Sequence, residues 1–324
     1  MASFRDFGND LYSGKRSIEF VGRRKTWYAI GVVVVLLAIL APILRGGFSF
    51  GIEFTGGSEF RIDGVSSQGE TVATEVVDDL FPGADSVVTT VGVDSIRVQT
   101  EQLQDIESEQ LRLALADAYG VEGGEVASSF IGPNWGADVT NQALQGLVVF
   151  LILVSLLMAV YFRSWKMSVA ALAALAHDLI ITVGIYGGLG LEVSPAAIIG
   201  FLTILSYSLY DTVVVFDKVR ENTENVEFSE KVTFSEQVNL AVNQTLVRSI
   251  NTSVVAVLPV AGILFIGSLL LGAGTLTDIA LALFVGTIVG TYSSVFIAAP
   301  VYAHIREGET KYKDAADKVL ANRA

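Results

Sequence analysis

The sequence predicts a bundle of six membrane-spanning helices with one small α/β domain inserted after the first. Three observations carry this. Of the 324 residues, 52% are hydrophobic and only 17% are charged, whereas a soluble domain is usually about 25% charged. Six apolar stretches reach the roughly 20 residues that a helix needs to cross the hydrocarbon core. The one long connection between them, 45–143, has the residue spacing of a folded domain. The absence of cysteine rules out disulfide staples, and two histidines make a poor zinc centre. A net charge of −13 argues against nucleic acid as a partner. No cofactor or metal is expected.

Residues 1–26 precede the first span, 27–44. That span ends in Pro42-Ile43-Leu44-Arg45, without an A-x-A-like site, so it is expected to be retained rather than cleaved. The other spans are 144–162, 168–191, 195–216, 250–271 and 276–304. They form a body over 144–304, with a loop at 218–249 and a tail at 305–324. Ser194-Pro195 reads as an N-cap with proline at N1. Thr275-x-x-Asp278 reads as a capping box, and Gly286-x-x-x-Gly290 as a close helix contact. On one side of the membrane lie 17 of the 21 lysines and arginines. The other four, Arg45, Arg61, Arg97 and Arg112, lie in the long connection. The positive-inside rule then places both termini and the 218–249 loop in the cytoplasm and 45–143 outside, with the cell membrane as the location.

The outer segment holds 17 acidic and 4 basic residues, leaving 17 of each elsewhere. The whole charge imbalance therefore sits in one domain. Residues 59–63 alternate like a half-buried strand, and 70–80 have helical spacing that Phe81-Pro82-Gly83 stops. Strands are expected at 86–91 and 95–99, around Gly92 and Asp94. A helix follows at 102–119 and a last strand at 125–131. The order βαββαβ predicts a ferredoxin-like α+β unit. So acidic a surface has three readings: ordinary solvation, adaptation to a very salty exterior where screening is strong, or attraction to a basic substrate. A halophilic archaeal host is the expectation for the solvent outside.

Gly51-Ile-Glu-Phe-Thr-Gly-Gly-Ser58 follows the first span. Gly51, Gly56 and Gly57 there predict a tight turn or hinge with positive φ. Gly14-Lys15 is followed by Arg16, so no phosphate-binding loop is present, and the chain is not expected to be an enzyme. The fourth span carries Tyr207-Ser208-Leu209-Tyr210-Asp211-Thr212. Asp211 lies about 24 Å along the axis from Pro195, at 1.5 Å per residue. A carboxylate at that depth marks a functional site, unless it is close enough to the interface to be wet. Tyr207 and Ser208 share its helical face, whereas Asp217 sits at the solvated end. In the fifth span, Gln244, Arg248, Asn251 and Thr252 fall on one face. Arg248 either snorkels to water or reaches Asp211. His177-Asp178 lies near the middle of the third span, as a relay pair or as a structural one.

Taken together, these motifs resemble the SecF family of protein-export membrane proteins within the RND superfamily. The matching pieces are GIEFTGGS, IGPNWG, AHDLIITVGIYGGLG, SYSLYDTVVVFDKVRE, NQTLVRSINTS and ALALFVGTIVGTYSSVFIAAPVY, in this order. Tyr210 stands where the family commonly has Asn, which puts the hydrogen bonding around Asp211 in question. The resemblance implies an RND-type half of six spans and a SecD-like partner beside the SecY translocon. It also implies that Asp211 and Arg248 take part in proton passage, which drives the outer domain on the translocating polypeptide. A charge falling through 100 mV yields about 2.3 kcal/mol. To use it, a carboxylate must alternate between neutral and ionised forms; burial favours the first and a nearby arginine the second. Proton or sodium ion remain open as the driving ion. Two other readings are a half-size RND-type transporter of small molecules or lipids and a translocon scaffold without ion coupling.

Overall fold

The computed structural model describes residues 4–65, 69–91, 95–268 and 274–323. Six helical stretches among them are long and apolar enough to cross a membrane, and the chain is a multi-pass membrane protein. They are built from α2 (Arg24–Arg45), α6 (Pro133–Phe162), α7 (Trp165–Leu189), α8 (Pro195–Thr223), α9 (Phe234–Ala261) and α10 (Gly274–Ser293). The sixth span continues through a π-helical turn, Ser294–Ala298, into α11 (Ala299–Glu307). The helices α7, α8 and α10 form the buried core. The apolar lengths of α2, α6 and α9 face mostly outward.

Two expected boundaries move. The segment 218–249 is mostly helix rather than loop. The reason is a Thr-x-x-Glu capping box: Thr233 Oγ1 accepts from Glu236 N at 3.3 Å, and the Glu236 carboxylate accepts from Thr233 N at 2.9 Å. This starts α9 well before the membrane. Likewise α6 begins at Pro133, in the favoured N1 position, so the end of 45–143 already belongs to the second span. Ser194 caps α8 as the sequence predicts, accepting from Ala197 N at 3.1 Å. The proposed cap at Thr275 lies outside the described side chains. Asp278 instead accepts the Ser194 hydroxyl at 2.6 Å.

Below the spans, α1 (Phe4–Tyr12) and the strap after it lie on α9. Asn239 and Asn243 on α9 hold the strap. Asn239 Oδ1 accepts from Phe20 N at 2.8 Å, and Asn243 Oδ1 accepts from Ile18 N at 2.8 Å. The C-terminal α12 (Thr310–Arg323) packs back through Tyr312 and Val319, and Arg323 pairs with Glu236 at 2.6 Å.

After α2 come β1 (Ser49–Phe50), the short α3 (Ile52–Thr55) and β2 (Gly57–Ile62). Then follow α4 (Glu70–Leu80), β3 (Ser86–Val91), β4 (Ser95–Thr100), α5 (Asp105–Tyr119) and β5 (Val126–Ile131). Gly92 and Asp94 lie outside the described residues. The four strands β2 to β5 form an antiparallel sheet in the order β3-β4-β2-β5. Phe60, Ile62 and Val98 of the sheet bury against Val77 of α4 and Leu111 and Leu115 of α5. Gly56 and Gly57 take positive φ, 75° and 141°. Gly51 does not: its φ is −62°. A Cβ there would press on the carboxylates of Glu53 and Glu192, the ends of flexible side chains that can give way.

The domain is tied to the bundle at that point. β6 (Glu192–Val193), between α7 and α8, pairs in parallel with β1. Glu192 forms an ion pair with Arg97 at 2.5 Å and accepts from Gln99 Nε2 at 2.7 Å. Burial pushes the Glu192 carboxyl above its usual range, against the opposing pull of Arg97 and Gln99.

Candidate functional site

The polar centre of the bundle is set by how closely α8 and α10 approach. A Cβ at Gly290 would stand 2.9 Å from Ser208 Cβ, so only glycine lets the two helices meet there. One turn further on, α10 gives way to the π-helical turn. A π turn widens the helix by one residue. Ser293 and Ser294, adjacent in the chain, thereby point inward at two different carboxylates.

The first carboxylate is Asp178 on α7, 1% exposed. Its Oδ2 accepts from Ser208 Oγ at 2.5 Å and from Ser293 Oγ at 2.7 Å. Its Oδ1 lies 3.1 Å from His177 Nδ1. His177 is also buried, and its Nε2 has no hydrogen-bond partner among the described residues. A Cβ at Gly31 of α2 would stand 3.6 Å from that nitrogen.

The second is Asp211 on α8, 4% exposed. Ser249 of α9 donates to its Oδ1 at 2.7 Å, and Ser294 donates to Oδ2. A hydroxyl chain extends beyond it. Ser253 Oγ donates to Ser249 O at 2.8 Å and pairs with the Thr291 hydroxyl, while Tyr207 OH donates to Ser253 Oγ at 3.2 Å. Two polar clusters, one around Asp178 with His177 and one around Asp211 with Tyr207 nearby, thus lie side by side in an apolar bundle, bridged by the adjacent Ser293 and Ser294.

The expected residues divide. Asp211, Asp178 and His177 are buried together in the centre, with Thr212 buried beside them. Arg248 is exposed and forms no ion pair with Asp211, and Asn251 is exposed as well. Thr252 only bonds back to Arg248 O at 2.9 Å. The polar face of α9 thus looks outward, because its inward face is taken by the smaller Thr245, Ser249 and Ser253. Tyr210 is 56% exposed and takes no part in holding Asp211, so the departure there leaves the carboxylate's hydrogen bonds untouched. Tyr207 and Ser208 share a helical face with Asp211 but bond Ser253 and Asp178 instead. The sequence reading missed Ser249, Ser253, Ser293 and Ser294. Their signals were present: Ser249 and Ser253 are one turn apart, and Ser293-Ser294 is a polar pair inside an apolar span.

A family model described as "Protein export membrane protein SecD/SecF, C-terminal" matches residues 114–308, more than half of the chain. The chain belongs to this SecD/SecF family. Protein translocase subunit SecF of Streptomyces coelicolor is 43% identical over all of this chain and 86% of its own length. The SecF subunit of Mycobacterium leprae is 41% identical over 97% of this chain and 69% of its own. Among solved structures, a translocon-associated SecDF from Thermus thermophilus superposes with a TM-score of 0.77 at 32% identity. The match covers 90% of this chain and 39% of that one. The expected halophilic archaeal host finds no support, since these relatives are bacteria. Some of the acidic residues have local partners. Glu107 caps α5, Glu70 accepts from Thr90, and Asp63 accepts from Ser95 and Arg61.

Proposed function

We propose that this chain is the SecF-type auxiliary subunit of the Sec protein-export machinery. It works with a SecD-like partner beside a SecY translocon and is driven by a proton or sodium gradient. The observation that carries the reading is Asp211. It is a carboxylate buried within the fourth span that accepts hydrogen bonds from serine hydroxyls of α9 and the π turn. Arg248 is the next residue to Ser249 and stands exposed beside the site. A small rotation of α9 would exchange serine for arginine at Asp211. That exchange couples the charge state of the carboxylate to the packing of a span.

In this reading the termini and the 218–249 region are cytoplasmic, in accord with their basic residues. Residues 45–143 form the extracytoplasmic domain. The strand order β3-β4-β2-β5, with α4 and α5 as crossovers, supports reading it as a ferredoxin-like unit. This domain acts on the exported polypeptide, and its ion-paired junction at Glu192 passes bundle movement to it. Asp178 and His177 are the second station of the relay. Tyr207 and Thr212 support it, and Gly56 and Gly57 give the outer hinge. The chain makes and breaks no covalent bonds in this role.

The test is export into inverted membrane vesicles that carry the chain, its SecD-like partner and the translocon, under imposed proton or sodium gradients. Asp211→Asn is expected to assemble normally and to lose the gradient-dependent part of export. Export by this variant that still responds to the gradient as wild type does would sink the proposal.

A further inference from the structure

At the end of the bundle opposite the α/β domain, a cavity of about 500 Å³ opens between the α6–α7 turn, the end of α8, and α11 with α12. Four cations line it: Arg163 and Lys166 from the turn, Arg220 from α8 and Arg306 from α11. Two acids share the wall, Glu224 and Glu227. The charges are unevenly matched. Lys166 and Arg306 share Glu309, at 2.8 and 3.2 Å, and Lys311 holds Glu227 at 3.0 Å. Asp217, one turn before Arg220, accepts from Tyr161 OH at 2.9 Å. Arg163 and Arg220 are exposed and form no ion pair among the described residues. Glu224 on the wall and Asp217 one turn from Arg220 are the nearest acids left to oppose them.

The backbone points the same way. Among the described residues, Arg163 and Asn225 are the only non-glycine residues with positive φ, 49° and 61°, and both line this cavity. Both are helix ends: Arg163 closes α6 in the left-handed C-cap conformation and Asn225 precedes a short 3-10 turn, so two chain reversals shape the cavity. The inner wall stacks Arg306 over the rings of Tyr312 and Tyr302, with its guanidinium carbon at 5.0 and 5.7 Å. At the mouth, Trp165 is 66% exposed, as befits a ring at headgroup level. Up α6 from there runs an exposed apolar stripe of Leu156, Leu157 and Val160.

We infer that this cavity holds the phosphodiester headgroup of an acidic membrane phospholipid, with its acyl tails lying on the α6 stripe. A cationic recess between spans at the membrane surface recognises anionic headgroups by charge. A free phosphate or nucleotide would make no use of the adjoining apolar stripe. That the lipid belongs to the cytoplasmic leaflet rests on the orientation proposed above; its chemistry does not.

The test is native mass spectrometry of the full chain in detergent with phosphatidylglycerol, tail-matched phosphatidylcholine, or inorganic phosphate as competitor. Phosphatidylglycerol is expected to be retained over phosphatidylcholine, and millimolar phosphate not to displace it. The Arg163→Gln/Arg220→Gln variant is expected to bind it about tenfold more weakly. Equal retention of both lipids, displacement by phosphate, or unchanged binding by the double variant would overturn the inference. Should the double variant fail to fold, Glu224→Gln tests the opposite sign: tighter retention supports the site, and no change overturns it. Asp211→Asn is expected to keep the lipid, so failure of the export reading and failure of this one give separate results.

Discussion

Asp178 and Asp211 stand in the same bundle, and each accepts two serine hydroxyls, yet they are built into it differently. Asp178 is held by Ser208 of α8 and Ser293 of α10 and has His177 on its own helix. All of these belong to the buried core of the protein. Asp211 is held by Ser294 of the π turn and by Ser249 of α9, a span whose apolar surface faces mostly outward. The lesson is one of leverage. The bonds of Asp178 fasten the core to itself. The bonds of Asp211 fasten the core to α9, a helix that also carries an exposed arginine one residue from the contact.

Breaking the two carboxylates in turn gives the largest expected effects. Asp178→Ala leaves the buried Ser208 hydroxyl and His177 Nδ1 without their partner and Ser293 with only its bond to Gly290 O. It is expected to cost on the order of 3 kcal/mol, seen as a lower unfolding temperature in detergent. Asp211→Asn keeps an oxygen that accepts from one serine and offers an N–H that the other serine hydroxyl can accept, so its unfolding temperature is expected to stay close to wild type while gradient-driven export is lost. If Asp178→Ala unfolds like wild type and Asp211→Asn is the unstable one, the contrast between fastening and switching is wrong.

The serines sharpen the contrast at a smaller scale. Ser293→Ala and Ser294→Ala each remove one hydrogen bond to a buried carboxylate, and each is expected to cost about 1.5–3 kcal/mol. Ser294→Ala, at the switching carboxylate, is expected to alter the gradient dependence of export more than Ser293→Ala at the second station. Equal effects of both on export would mean that the two stations act as one. Arg248→Gln comes next. An exposed residue without an ion pair is expected to change stability by no more than about 0.5 kcal/mol. Gradient-driven export should nevertheless fall, because no cation then approaches Asp211. Unimpaired export would remove Arg248 from the relay.

The two carboxylates also show what was legible in the sequence. Both were visible as charges in apolar runs, because membrane burial makes any such residue stand out. The spans and the strands and helices of the outer domain followed from periodicity, since each element shows one face to a core. The facing of α9 was not legible. Gln244, Arg248, Asn251 and Thr252 look like a polar stripe, and a polar stripe in a membrane helix reads as inward. In the structure the inward positions are the small Thr245, Ser249 and Ser253, because close packing selects for size before polarity. The π turn was hidden for a related reason. It shifts the helical phase by one residue, so a periodicity of 3.6 does not foretell that Ser293 and Ser294 both point inward.

The junction at Glu192 offers the smallest effect and extends the comparison to the outer domain. Like Asp211, Glu192 joins two separately packed parts of the molecule, but it does so by ion pair, with Arg97. Burial raises its carboxyl above the usual value, and the nearby carboxylates Glu53 and Glu59 push in the same direction. A carboxyl whose folded pKa is raised contributes stability that is fully present below its ordinary pKa. That contribution is lost as pH rises through the raised value. Docking of β1 on β6 is therefore expected to tighten modestly as pH falls through this window. Hydrogen exchange at the amide of Gly51, which donates to Val193 O at 3.1 Å, reads that docking directly. In Glu192→Gln the dependence on pH should flatten, since no charge remains to be gained or lost. A dependence that survives this substitution unchanged would place the titrating group elsewhere in the junction, with Glu53 and Glu59 the next to replace.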